Sequence, residues 1–213
     1  MSYYFKNIPN ILTISRIIIA PIFFLFFIYN NYLVAFILFV IANATDALDG
    51  FFARRYNMVS NFGSIYDPLA DKILILFAFM CIYFKPPFIF TEPPLDMYVL
   101  EFLYLPLCLI IFRDFIISFL RQYLKKNNII LKAAIIGKIK TWLQFLFVSI
   151  YLIELLLLNS NLSRYNFNYG ILELDIAISL LFGLSFLLIL YITSLISIIS
   201  GFFYIFKNRS HIS

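Results

Sequence analysis

Residues 32–84 read YLVAFILFVIANATDALDGFFARRYNMVSNFGSIYDPLADKILILFAFMCIYF. The apolar run at each end approaches the roughly 20 residues that a helix needs to cross the hydrocarbon of a bilayer. Between them lies a short polar connection, RRYNMVSNFG at 54–63. The pattern predicts two antiparallel helices, 32–54 and 65–84, returning to the same side of a membrane, with four aspartates gathered around the turn.

Working outward, four further apolar runs cover 11–30, 99–122, 137–158 and 174–205, the first of them broken by Arg16 and Pro21. The first run has an early Lys6 like a signal peptide, but no small-residue cleavage pattern follows, so it reads as a helix. With 63% hydrophobic and 20% aromatic residues, the 213-residue chain has too little polar surface to coat a soluble globule. No Gly/Ser linker, low-complexity tail or internal repeat divides it. The expected fold is all-α, a polytopic membrane protein with six transmembrane helices in a single domain, 1–213.

Charge orients the bundle. Lys and Arg in short loops stay on the cytoplasmic side, and an inner N-terminus places Lys6, Arg54, Arg55, Lys72, Arg121, Lys125, Lys126, Lys132, Lys138, Lys140, Lys207 and Arg209 there. Only Lys85 and Arg164 fall outside, beside Glu92, Asp96, Glu101, Glu173 and Asp175. Both termini are therefore expected to be cytoplasmic. The net charge of +5 sits at membrane ends rather than in a separate basic domain, which points to anionic membrane lipid and away from nucleic acid. Cys81 and Cys108 lie in apolar runs without a metal or redox spacing and read as packing residues. The outer loop KPPFIFTEPPLDM, with prolines at 86, 87, 93 and 94, separates the third and fourth helices.

The connection at 46–71 follows the pattern D-x2-D-G-x2-A-R-x8-G-x3-D-x3-D, with Asp46, Asp49, Gly50, Ala53, Arg54, Gly63, Asp67 and Asp71 at its fixed positions. Residues three or four apart share a helix face. Asp46 and Asp49 are thus paired at the end of the second helix, and Asp67 and Asp71 at the beginning of the third. One such pair is most often a solvated helix terminus. Two pairs with glycines and an arginine at set offsets call for a cation among them, because four clustered carboxylates repel strongly near the low-dielectric membrane. With no histidine or cysteine nearby the donor set is all oxygen, which suits Mg²⁺ or Mn²⁺. Four carboxylates can neutralise two such ions.

The other positions have physical uses. Gly50 and Ala53 leave a small-residue notch in the helix wall, where a base or diphosphate could approach. Gly63, expected just before the third helix, suits an unusual turn or a free N–H aimed at an anion. Arg54 adds a fixed positive charge for phosphate.

This pattern resembles the signature of the CDP-alcohol phosphatidyltransferases, and every signature position is matched without a gap. The resemblance implies that Asp46, Asp49 and Asp67 hold a pair of divalent ions, with Asp71 beside them as the general base. It also implies that Asp49, Gly50, Ala53, Arg54 and Gly63 line the CDP site, and that the protein has six spans and is commonly a homodimer. The lone histidine, His211, lies in the tail, so a carboxylate is also the best remaining proton acceptor. The implied reaction is a single displacement on CDP-diacylglycerol that releases CMP.

Outside the signature, NIPNILTISRIIIAPIF at 7–23, RDFIISFLRQYLKK at 113–126 and IGKIKT at 136–141 are similar to the glycerophosphate-using branch of that family. That similarity implies sn-glycerol 3-phosphate as acceptor and a bacterial inner membrane with the active site facing the cytoplasm. Inositol phosphate, serine or phosphatidylglycerol are the alternative acceptors. Physically, Arg113 and Asp114 fall well inside an apolar run, where an ionisable residue faces a cavity or a partner. Arg121 follows two turns later, and Lys138 and Lys140 open the next helix. Together they read as an acceptor-phosphate pocket; the plain alternative is that Arg113 pairs with a neighbouring acid and the lysines are membrane anchors. Arg16 and Asn10 are read as a helix cap or headgroup contacts, and Glu154 as a snorkelling or paired residue. A divalent-cation transporter is the competing class, but it would need acids continuing across the membrane, whereas these cluster at one face.

Overall fold

A computed structural model describes residues 8–56, 61–87, 97–126, 135–162 and 169–207. Among the described residues the protein is all helical. The six helices are α1 (Ile8–Ile28), α2 (Tyr32–Tyr56), α3 (Asn61–Phe84), α4 (Met97–Lys126), α5 (Ile135–Leu162) and α6 (Tyr169–Lys207). Four carry windows long and apolar enough to cross a membrane: Ile11–Ile28, Glu101–Leu120, Gly137–Asn159 and Leu180–Phe206, while α2 has a shorter apolar stretch, Tyr32–Asp46. Large apolar side chains such as Ile14, Ile18, Leu105, Phe112, Leu181 and Leu188 are exposed along these windows, an arrangement that suits lipid and not water. The chain is an integral membrane protein. Cys81 is buried as expected, whereas Cys108 lies on the exposed face of α4, where lipid receives an apolar thiol at little cost.

The chain divides into two compact units, Met1–Pro86 with Leu155–Ser160, and Pro87–Glu154 with Asn161–Ser213. In the first, α2 and α3 are both seated on α1 and touch each other far less. The buried stripe of α1 is Thr13, Arg16, Ala20, Phe23 and Phe27; that of α2 is Tyr32, Ala35, Phe39 and Ala42; that of α3 includes Ala70, Leu74, Ala78 and Cys81. The three-and-four spacing is that of a helix packed along one face, and the recurrent alanines let backbones approach without a driving force from water.

The sharp reversal between α1 and α2 is written in two asparagines. Asn30 takes the left-handed conformation, φ 58°, which asparagine tolerates better than most residues. Its N–H donates to the Phe27 carbonyl at 2.9 Å and that of Asn31 to Phe26 at 3.0 Å, so the last carbonyls of α1 are satisfied by a Schellman closure. Asn31 then caps α2 by accepting the Val34 N–H at 3.4 Å. Lys85 ties this end to α3, donating to the Tyr32 hydroxyl at 2.6 Å with its ammonium 4.8 Å from the ring centre.

In the second unit, α4 packs on α6. The core contains Leu103, Leu107 and Ile110 of α4, Phe147 and Tyr151 of α5, and Phe186 and Leu190 of α6. Phe186 meets the rings of Phe147 and Tyr151 at 5.8 and 6.0 Å. Towards the other end of the helices polar residues appear: Asp114 accepts from Lys140 and Gln144 of α5, and Thr193, Ser197 and Ser200 of α6 are buried. Glu154 of α5 is buried rather than snorkelling.

Candidate functional site

The α1–α2 turn sets the cluster of the first unit. Positions 16 and 46 lie 14 and 16 residues on either side of Asn30, about 21 and 24 Å along antiparallel helices, so they arrive at one level. There Arg16 donates to the Oδ1 of Asp46. The arginine is 1% exposed and the aspartate 52% exposed: the cation is sealed between helices and the acid faces outward. Three residues of α1 earlier, Thr13 is also fully buried. Asp46 continues the buried stripe of α2 one turn past Ala42, at the point where the stripe opens to solvent.

Asp71 lies on α3 with its side chain exposed, one residue after the buried Ala70. Asp49, Gly50, Ala53 and Arg54 on α2, and Gly63 and Asp67 on α3, are described as helical backbone only; their side chains lie outside the described residues. Gly63 is the third residue of α3, not a residue before it. The helix begins four residues before the expected start at 65, because the stretch from Asn61 to Ser64 is compatible with a first turn, whose N–H groups need no intrahelical partner in any case. Among the described residues no three acidic, histidine or cysteine side chains stand together as metal ligands; of the four expected ligands only Asp46 and Asp71 have described side chains. Both are oxygen donors at exposed positions on helices seated against α1, so the donor chemistry fits a hard divalent cation.

A separate polar cluster lies within the other unit. Asp114 of α4 sits at its centre. Its Oδ1 accepts from Arg113 at 3.1 Å and from Lys140 of α5, and its Oδ2 accepts from the Gln144 amide at 3.3 Å. Arg113 also donates to the Ser200 hydroxyl of α6 at 2.5 Å, and that hydroxyl donates to the Ser197 carbonyl at 2.9 Å. Exposure is only 17% for Arg113, 20% for Asp114 and 4% for Lys140. Two cations share this one carboxylate at positions with little exposure. The Nε–H of Arg113 is buried with no hydrogen-bond partner among the described residues, an unmet donor that costs free energy until an acceptor arrives.

Arg113 and Lys140 are therefore brought together through Asp114, and the pairing of Arg113 with a neighbouring acid is the one the plain alternative anticipated. Lys138 is not part of the cluster. It is exposed, because a residue two positions from Lys140 points to a different side of α5. The side chain of Arg121 lies outside the described residues.

The contribution of α6 was missed in the sequence, where the last helix read only as hydrophobic. Ser194, Ser197 and Ser200 recur every third residue and all are buried; small hydroxyl residues at helical spacing are the signal that could have exposed a polar face. Gly201 follows, and a Cβ there would stand 3.3 Å from Cγ of Arg113 and 3.6 Å from its Nε. The arginine thus crosses α6 where the helix has no side chain.

Residues 6–189 match the family model described as CDP-alcohol phosphatidyltransferase. Proteins of Rickettsia felis, Bacillus subtilis and Aquifex aeolicus named CDP-diacylglycerol–glycerol-3-phosphate 3-phosphatidyltransferase are similar along most of the chain. The Rickettsia protein is 35% identical over 202 residues, 93% of each chain. The Bacillus protein is 33% identical over 81% of this chain and 88% of its own. The Aquifex protein is 33% identical over 72% of this chain and 77% of its own.

Proposed function

Because the chain belongs to the CDP-alcohol phosphatidyltransferase family, we propose that it transfers the phosphatidyl group of CDP-diacylglycerol to sn-glycerol 3-phosphate, giving phosphatidylglycerophosphate and CMP. The observation that carries the choice of acceptor is the largely buried Arg113–Asp114–Lys140 cluster, two cations on one carboxylate, with its unmet guanidinium N–H. An acceptor that brings its own phosphate would satisfy that donor and neutralise the excess charge. Serine carries no phosphate, and would leave the cluster positive. The names of the relatives support the same acceptor.

In this reading Asp46, Asp49, Asp67 and Asp71 would hold two divalent ions, Mg²⁺ or Mn²⁺, which supply charge neutralisation for the diphosphate and for the departing CMP. Gly50, Ala53 and Gly63 admit the nucleotide close to the backbone, and Arg54 adds charge at the phosphates. Asp71 accepts the proton of the attacking hydroxyl. The new bond joins the acceptor oxygen to the lipid-bearing phosphorus, and the bond from that phosphorus to the CMP oxygen breaks in the same displacement, so no covalent enzyme intermediate is required. Arg113 and Lys140 hold the acceptor phosphate and orient the hydroxyl.

The basic residues that border the expected inner ends of the helices support an active site facing the cytoplasm, and the family resemblance adds a bacterial inner membrane and a homodimer. The deciding experiment offers purified enzyme CDP-diacylglycerol with a panel of acceptors and measures CMP release. Release should depend on sn-glycerol 3-phosphate and on Mg²⁺ or Mn²⁺. Product with inositol phosphate, serine or phosphatidylglycerol in its place would move the acceptor and keep the reaction class. No CMP with any acceptor would return the chain to the cation-transport alternative.

A further inference from the structure

We propose that Arg16 is a positioning residue for the metal site: buried beneath Asp46, it fixes one carboxylate oxygen and so presents the other to a divalent cation. The inference rests on the reading of Asp46 as a metal ligand.

An arginine at 1% exposure is expensive. It lies within the apolar window Ile11–Ile28 of α1, where an ionisable side chain is costly unless it faces a partner. A residue needed only to join α1 to α2 would be better apolar, since replacing buried ion pairs by packed hydrophobic groups is often neutral or stabilising. The stripe around it follows that rule: Ala20, Phe23 and Phe27 meet Ala35, Phe39 and Ala42 with no charge between them. The charge appears at the level of Asp46, the first acid of the signature on α2. Its partner is not equally buried but 52% exposed, so the pair is one-sided: the guanidinium is fixed by packing and the carboxylate is held from behind.

The arrangement resembles the outer-shell groups that orient metal-ligating side chains elsewhere, whose loss typically lowers metal affinity on the order of 10- to 100-fold. It also changes the charge of the site. Four carboxylates give −4; with Arg16 the sum is −3, and two dications then bring it to +1, a residual charge suited to an anionic diphosphate. Electrostatics and positioning make opposite predictions for removal of the arginine. Loss of a nearby positive charge alone should tighten cation binding, whereas loss of orientation should weaken it.

The test is Mn²⁺ binding to the full chain in detergent, followed by electron paramagnetic resonance of free and bound ion, for wild type, Arg16→Met, Arg16→Lys, Asp46→Asn and the double variant. Arg16→Met should bind Mn²⁺ about tenfold more weakly, and Arg16→Lys, which keeps the charge but loses the fork, about threefold more weakly. The double variant should bind no more weakly than Asp46→Asn alone, because the arginine acts through that aspartate. Thermal melting of each variant tracks folding; should Arg16→Met fail to fold, Arg16→Lys decides alone. Unchanged or tighter Mn²⁺ binding in the folded Arg16 variants, or additive losses in the double variant, would overturn the proposal. Failure of the underlying reading looks different: wild type would bind no Mn²⁺, or Asp46→Asn would bind it as wild type does.

Discussion

The two polar clusters use the same pair of charges in reversed roles. In the α1–α3 unit a sealed arginine supports an acid that faces outward; in the α4–α6 unit a largely buried acid supports an arginine and a lysine. The difference lies in which member of the pair remains accessible to bind something. An outward carboxylate on a cationic backing attracts a metal ion without letting the acids repel each other apart. An arginine and a lysine on an anionic backing attract a phosphate without leaving two bare cations in the membrane. In each case the supporting charge limits the cost of burial.

That division of labour can be broken most forcefully at Asp71. Asp71→Asn removes the proton acceptor and should lower kcat by about a thousandfold, within the 10²–10⁴ range for loss of a general base. CDP-diacylglycerol binding and the KM for sn-glycerol 3-phosphate should stay within about twofold to threefold. CMP release under saturating acceptor, with separate titration of the CDP-lipid, reads both. A parallel loss of CDP-lipid binding would recast Asp71 as chiefly a metal ligand.

Arg113→Ala should act on the other side of the comparison. A charge-assisted hydrogen bond contributes about 1.5–3 kcal/mol, which is roughly a 10- to 100-fold rise in KM for sn-glycerol 3-phosphate. The KM for CDP-diacylglycerol should change little. An unchanged acceptor dependence would reduce Arg113 to a structural partner of Asp114. Ser200→Ala removes the 2.5 Å hydrogen bond that steers the guanidinium, along with the hydroxyl's own bond to the Ser197 carbonyl, and its expected effect is a threefold to tenfold rise in acceptor KM, from about 0.5–1.5 kcal/mol.

These clusters also mark where the sequence stopped being readable. The helices were legible because hydrophobic run length is a local property: the observed ends of α2, α4 and α5 fall within about two residues of those expected, except that α4 extends further at its inner end and α5 at its outer end. The signature aspartates were legible because their spacing lies within two neighbouring helices. Arg16 was read as a cap or headgroup contact because its partner is 30 residues away, and only the position of the Asn30–Asn31 turn, equidistant from both, could have joined them. Gly63 was misplaced because a glycine in a first helical turn looks like a glycine in the preceding loop. Ser200 and Gly201 were invisible because the crossing of α4 and α6 brings together residues 87 positions apart, a tertiary fact that no local pattern encodes.

Gly201 offers the finest test of whether the α4–α6 cluster is tuned for a ligand or only held together. Gly201→Ala should not harm the helix: alanine is about 1 kcal/mol better than glycine in a helix interior, so the melting temperature in detergent should hold or rise. The added Cβ, however, would lie 3.3 Å from Cγ of Arg113, closer than ordinary contact, and the arginine must move by a few tenths of an ångström. Its bond to Ser200 then lengthens, and the Nε–H shifts with it. If that donor is aimed at the acceptor phosphate, the KM for sn-glycerol 3-phosphate should rise about twofold to fourfold while CDP-diacylglycerol dependence and Mn²⁺ binding stay unchanged. Adding the alanine to Arg113→Ala should then cost nothing more, because the group it displaces is gone. A variant with higher stability and unaltered acceptor KM would mean that the cluster tolerates movement of its arginine, and that its hydrogen bonds serve only to join α4 to α6.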